Sequence, residues 1–339
     1  MIFPSEKSSQ AENAVFLSNL VQNKRNEKRY TIPLCLIQKK QMTKKILIIL
    51  IIGLSAIISC KEEKKSQISD AEIWKLGWRM IASSMDENYE LANQQFDSLA
   101  NFSDQIDKQY LITGLKAKNE IGKNEEIIEI LKNQKEEILQ QICNRGFLSQ
   151  FEPCSGVPIE NAENKELQNE IMKMYVDDQA VRGNLMEDII SKYNIDKSEI
   201  TKDGGVTVDE RNRNRLKEIF KEFGFPNSKL IGKDAMQGMF FIIQHSDGDK
   251  EWQKSQLSNI EKAVENGDMD GQKYAYLYDR IKINSGEKQL YGTQFAKVDP
   301  INKTVELADT EIIENLDNRR MKVGMMPIKM YKEYMLKNL

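Results

Sequence analysis

A chain of 339 residues, 40% hydrophobic and 30% charged, is long enough for two ordinary domains and apolar enough to bury a core. Its formal net charge of −3 gives no basic footprint, which argues against nucleic acid as a partner. Four cysteines without a Cys-x-x-Cys pair argue against a structural zinc site, and a single histidine, His245, excludes a multi-histidine metal centre within one chain; a carboxylate-rich site stays open, and no metal ligand or cofactor is assigned.

Residues 1–41 precede Met42, which stands where a secretory signal should begin; they are read as a misassigned upstream extension without a fold. Met42-Thr43-Lys44-Lys45 and the apolar run Ile46 to Ser59 supply a basic start, a short apolar core and a small residue before the cut. The run is shorter than the roughly 20 residues a helical membrane span needs. Ile57-Ile58-Ser59-Cys60 resembles a bacterial lipobox. That resemblance implies a signal peptide over 42–59, cleavage before Cys60 and lipidation of Cys60, several acyl chains making a stable anchor. An uncleaved N-terminal anchor is the alternative. Residues 60–69 form a charged tether, and Lys61-Glu62-Glu63 within it resembles a lipoprotein surface-export signal displaced by one position. The expected location is the cell envelope, lipid-anchored to a membrane facing the periplasm, with surface display as the second option.

Residues 70–150 carry helical periodicity. Ile73, Leu76, Met80 and Ile81 share one face, and Leu91, Ala92, Phe96 and Leu99 another. A shift of 35 residues places Leu76 on Leu111, Ala92 on Ile127 and Phe96 on Leu131, a spacing that suits helical hairpins of the tetratricopeptide kind. Such hairpins serve as a protein-binding surface or as a spacer. Phe151 to Pro158, with two prolines and a glycine, reads as the boundary. Cys143 and Cys154 flank it and pair in an oxidising compartment if their Cα atoms come within about 7 Å; two free thiols are the alternative.

A second domain is expected over 160–339. Leu167, Ile171, Met174, Val181, Leu185 and Ile189 form one helical stripe, interrupted by Asp178, with Arg182 one turn on. A carboxylate on a buried face must be paired or functional. Thr207-Val208-Asp209-Glu210 reads as a capping box opening a helix that stops at Gly224, with Asp209 and Asn212 extending its apolar face. Asp234 is expected to cap a helix through Gln244 that is apolar on all sides and so buried, with His245 at its C-terminal end. Gln253, Leu257, Ile260 and Val264 predict one amphipathic helix, and Asp270 caps the next, which closes at Asp279 and Arg280. Ile281-Lys282-Ile283 and Gln289 to Phe295 predict a β-hairpin around Asn284 to Glu287, with Val305 and Leu307 in a third strand. A helix bearing Asp317, Arg319 and Arg320 and a closing helix after Pro327 complete the chain. The expected fold class is therefore mainly α (α+β): tetratricopeptide-like hairpins, then a mostly helical domain with a small antiparallel β-hairpin or sheet.

Asp178-Gln179-Ala180-Val181-Arg182-Gly183, Gln244-His245-Ser246-Asp247, Tyr278-Asp279-Arg280 and Gln289-Leu290-Tyr291-Gly292-Thr293-Gln294 together resemble the landmarks of an uncharacterised bacterial family, domain of unknown function 6624. The resemblance runs from Asn161 to Tyr331 and includes Phe225-Pro226, Gly324 and Pro327, with Phe225 where the family usually has tryptophan. It implies a shared site and no assigned reaction.

Two functions fit these residues. In the first, Asp178, Arg182, Gln244, Arg280, Tyr291, Thr293 and Gln294 form a polar pocket around His245 that binds a small ligand or an envelope protein. In the second, a hydrolase uses His245 as general base, oriented by Asp279 or Asp247, with Arg280 and Arg182 holding an anionic group and Thr293 and Gln294 donating hydrogen bonds. The chain shows no serine or cysteine nucleophile motif and no phosphate loop, which leaves water as the attacking group.

Overall fold

The structure, a computed structural model, describes residues 68–102, 106–143, 146–157 and 162–337. The upstream extension, the signal, Cys60 and most of the tether lie outside the described residues. No described helix is long and apolar enough to cross a membrane. The protein is mainly helical, with one small two-stranded antiparallel sheet. It divides between Val157 and Pro158 into two compact units.

The first unit holds α1 (Asp70–Met85), α2 (Tyr89–Phe102), α3 (Lys108–Glu120), α4 (Asn124–Lys132) and α5 (Glu136–Ile142). Ser69 opens α1 with a complete capping box to Glu72, satisfying two amides that the first turn leaves open. Glycines let the helices close on aromatic rings: a Cβ on Gly77 would meet the Tyr110 ring, and one on Gly114 the Phe96 ring. Lys118, 2% exposed, is, like Lys108, a buried charge of this unit. Its ammonium reaches Asn93 Oδ1 at 2.8 Å and carboxylate oxygens of Asp97 and Glu126 at 2.7 Å each. A disulfide joins Cys143, just after α5, to Cys154 in the 3-10 turn Glu152–Cys154, with Cα atoms 5.3 Å apart.

The second unit is organised on α6 (Lys165–Ala180), α8 (Gly205–Phe223) and α9 (Ser228–Gln244), which pack on one another. Short helices α7 (Glu187–Lys192), α10 (Lys250–Ser255) and α11 (Leu257–Glu265) and the longer α12 (Gly271–Asn284) surround them. Met236, Met239, Phe240, Phe241, Ile242 and Ile243 are all buried, as a helix apolar on every side requires. Strands β1 (Phe295–Asp299) and β2 (Thr304–Leu307) pair antiparallel with an irregularity between Phe295 and Lys297. Helices α13 (Leu316–Lys322) and α14 (Ile328–Lys337) close the fold.

Several expected elements are redrawn. The stripe through Ile189 is not one helix: α6 ends at Ala180 in a Schellman stop, with Gly183 left-handed at φ 82° and the Asn184 amide bonded back to the Gln179 carbonyl. α8 begins at Gly205, so Thr207 lies inside it and is not its cap. α9 begins at Ser228 under Asn227, with non-helical Gly232 inside, and Asp234 instead accepts from Lys192 and Tyr193. The segment 250–265 breaks into two helices at Gln256. Ile281-Lys282-Ile283 is the last turn of α12, not a strand, because three residues of alternation fit a helical face as well as a pleat. Left-handed Gly286 ends that helix, and the sheet lies further on, where Phe295 and Val305–Leu307 meet.

Candidate functional site

His245 caps the C-terminus of α9, its amide bonded to the Phe241 carbonyl, which fixes the ring beneath the helix. From α6, 67 positions earlier in the chain, Asp178 presents its carboxylate to that ring: Nδ1 lies 2.9 Å from Oδ1 and 3.0 Å from Oδ2. Asp178 is fully buried and His245 is 4% exposed. Gln179 Nε2 donates to Oδ2 at 3.0 Å, and Arg182 Nη1 donates to Oδ1 at 3.3 Å and to the Asp178 carbonyl at 2.7 Å. Burial alone would raise the Asp178 carboxyl, but His245, Arg182 and Gln179 outweigh it and hold it below the ordinary carboxylate range. An ionised Asp178 accepts only, so Nδ1 must carry the proton that joins them. Phe241 stacks on the imidazole at 6.1 Å between centroids and on Tyr175 at 5.3 Å.

Arg182 extends the pair outward. Its Nη2 bonds both oxygens of Asp209 on α8, at 2.8 and 3.0 Å. Burial lifts the Asp209 carboxyl above its ordinary value although Arg182 opposes the shift. Two residues beyond His245, Asp247 takes a two-point grip from Arg280: Nε to Oδ1 at 3.1 Å and Nη2 to Oδ2 at 2.6 Å. Gln253 and Asn284 donate to the same Oδ1. Burial raises the Asp247 carboxyl, but Arg280, Gln253 and His245 prevail and its net position is low.

The expected partner of His245 is therefore corrected. The carboxylate on its ring is Asp178, not Asp279 or Asp247. Asp247 is spent on Arg280. Asp279, fully buried, accepts the amides of Leu290, Tyr291 and Thr293 at 2.8 to 3.2 Å and so organises the loop after α12. Burial raises its carboxyl, and those three amides pull it back in part. Thr293 and Gln294 belong to this loop: Gln294 Nε2 donates to Thr293 Oγ1, and the Gln294 amide to Gln289 Oε1. Tyr291 packs edge-on against Tyr278 and Tyr274. Buried Arg320 supports the same loop through the carbonyls of Tyr291 and Gly292, and ties it to the Met326 carbonyl before α14. Arg182 and Arg280, expected to hold an anion, both spend their charge on the protein's own carboxylates.

Three residues stand out that the sequence reading did not assign to the site. Asp209 was legible as a carboxylate on an apolar stripe, and Arg213 lies one turn beyond it on the same stripe. Lys273, 3% exposed, lies over the faces of Phe240 and Phe241 at 4.9 and 5.0 Å. Gln244 was assigned, and its buried Oε1 has no hydrogen-bond partner among the described residues.

Residues 165–338 match the model of a family of unknown function, DUF6624, and the match spans half of the chain. The protein belongs to that family. No curated protein and no solved structure matches it.

Proposed function

We propose that the protein is a lipid-anchored component of the bacterial cell envelope whose family domain binds a polar ligand, a small molecule or an envelope protein, at the site built on His245 and Asp178. The observation that carries this reading is the buried pair. An imidazole and a carboxylate sealed in an apolar core are a poor route to stability, since apolar residues of similar volume often match or exceed a buried ion pair. The pair has an outward end: the side chains of Arg182 and Asp209 are 15% and 21% exposed. A ligand meets the site there. The lipobox-like run ending at Cys60 supports the anchor, and the disulfide suits an oxidising compartment. The helical unit, with its tetratricopeptide-like spacing, is a natural surface for a protein partner.

The second reading, a hydrolase with His245 as general base, draws on the same geometry, because a carboxylate on Nδ1 leaves Nε2 as the basic nitrogen. The imidazole side chain is 2% exposed, which favours binding at the outward end over chemistry at the ring. One experiment separates the two. Wild type and His245→Ala are incubated with a panel of esters, phosphoesters and glycans, and both melting and turnover are followed. Binding predicts a panel member that raises the wild-type Tm, without turnover, and leaves His245→Ala unmoved. Turnover lost in His245→Ala would establish the hydrolase, and equal stabilisation of both proteins would remove His245 from the site. Labelling cells with a fatty-acid analogue tests the anchor: label expected on wild type and absent from Cys60→Ala.

A further inference from the structure

Arg213 is the odd cation of the family domain. It is 8% exposed, its Nε is sealed from solvent without a hydrogen-bond partner, and no carboxylate among the described residues forms an ion pair with it. Every other arginine near His245 is engaged: Arg182 by Asp178 and Asp209, Arg280 by Asp247. The nearest acidic turn does not serve it. Asp249 feels the Arg213 charge but bonds Lys217 Nζ at 2.6 Å and the Trp252 amide at 3.1 Å.

Lys273 is the useful contrast. Its ammonium also lacks a hydrogen-bond partner among the described residues, but two phenylalanine faces receive it and burial pushes it down to about 8, so it can shed its charge. A guanidinium has no such escape, and its sealed Nε is left without an acceptor, at a cost of about 1–3 kcal/mol for such a polar group. The surroundings of Arg213 also leave room for something to approach. Its Nη1 lies against Gly248, in the exposed part of the turn that follows His245, and a Cβ on that glycine would stand 3.1 Å from it. Gly248 has no left-handed backbone to explain the glycine.

We propose that Arg213 is the anchor for an anionic group of the ligand, a carboxylate or a phosphate, received over Gly248 beside the His245 turn. The planar fork of a guanidinium matches either group in two-point geometry. The proposal rests on reading the His245 region as a ligand site and adds the charge of what binds there.

The test uses the full chain, with inorganic phosphate and acetate as separate probes at constant ionic strength in chloride. One or both are expected to raise the wild-type Tm saturably, phosphate alone indicating a phosphoryl group and acetate alone a carboxylate. Arg213→Met should abolish the shift while melting in chloride no lower than wild type, because it removes a sealed donor that has no acceptor. Gly248→Ala, which keeps the charge and crowds its approach, should weaken the anion about tenfold, or about 1.4 kcal/mol. An equal shift in wild type and Arg213→Met, or none in either, overturns the proposal. So does a clear loss of stability in Arg213→Met without anion, which makes the guanidinium structural. If neither anion acts while a panel ligand still protects wild type and not His245→Ala, the anion assignment falls and the site stands. An Arg213-dependent shift that survives His245→Ala overturns the placement of the anion in the His245 site.

Discussion

Two of the buried cations, one from each unit, are held in contrasting ways. Lys118, in the helical unit, is surrounded by Asn93, Asp97 and Glu126, and its ammonium has an acceptor for each proton. Arg213, in the family domain, has its Nε sealed and unpartnered. The first unit does carry orphaned buried atoms, Trp78 Nε1 and Thr113 Oγ1 among them, but these are neutral and cheap by comparison. The charge of Lys118 is met by carboxylates of its own unit, and that of Arg213 by none among the described residues.

Substitutions at the buried charges should differ in cost. The largest expected effect is at Asp178. Asp178→Ala leaves Arg182 half-matched and the His245 Nδ1 proton without an acceptor, and should cost about 4 kcal/mol at neutral pH in denaturant unfolding. The pH dependence carries a sign. Asp178 and Asp247 lie below their ordinary values, so their contribution is complete above the unfolded carboxylate pKa, about 3.9, and is lost as pH falls through the depressed folded values. Asp209 and Asp279 are raised and act in the opposite sense, weakening stability as pH climbs through their range. Wild type should therefore show a steep acid limb below about pH 4 that Asp178→Ala flattens.

Next comes Asp279→Ala, expected to cost about 3 kcal/mol by stranding the amides of Leu290, Tyr291 and Thr293. It should do so without altering the His245 ring, which separates a loop-organising carboxylate from the one that orients the imidazole. Replacing Cys143 and Cys154 together by serine opens a loop of 11 residues and should cost the helical unit about 3 kcal/mol, with reductant giving the same loss in wild type. Lys118→Met should cost about 1–2 kcal/mol, since Asp97 and Glu126 stay partly solvated and lose only a partner. The smallest effect is the most telling. Asp178→Leu combined with His245→Leu should fall within about 1 kcal/mol of wild type, the outcome for a pair retained for function. A loss as large as that of the single Asp178 substitution would return the pair to a structural role.

Much of this was legible in the residues. Asp178 betrayed itself by interrupting an apolar stripe, Arg182 by lying one turn away, and His245 by being the only histidine, at the end of a helix apolar on every side. What spacing could not supply was the partner of the ring. Asp279 and Asp247 are nearer in sequence, while Asp178 arrives from another helix through packing that no local pattern encodes. Asp279 attracted a catalytic reading because it lies beside Arg280 in a motif, and motifs do not distinguish a carboxylate that faces a ring from one that collects backbone amides. The hairpin was misplaced because Ile281 to Ile283 is too short a run to separate two periods. Arg213 carries no signal in the sequence, since an arginine one turn beyond an aspartate is a common spacing, and only the structure shows that Asp209 is taken by Arg182.

Because the chain has one histidine, its ring can be observed without assignment. A nitrogen-15 spectrum of His245 at neutral pH tests the central geometry most directly. A protonated Nδ1 is expected, slow to exchange with water, with a signal that collapses in Asp178→Ala and persists in Asp279→Ala. A ring protonated on Nε2 alone, or one whose Nδ1 signal is indifferent to Asp178, would contradict it.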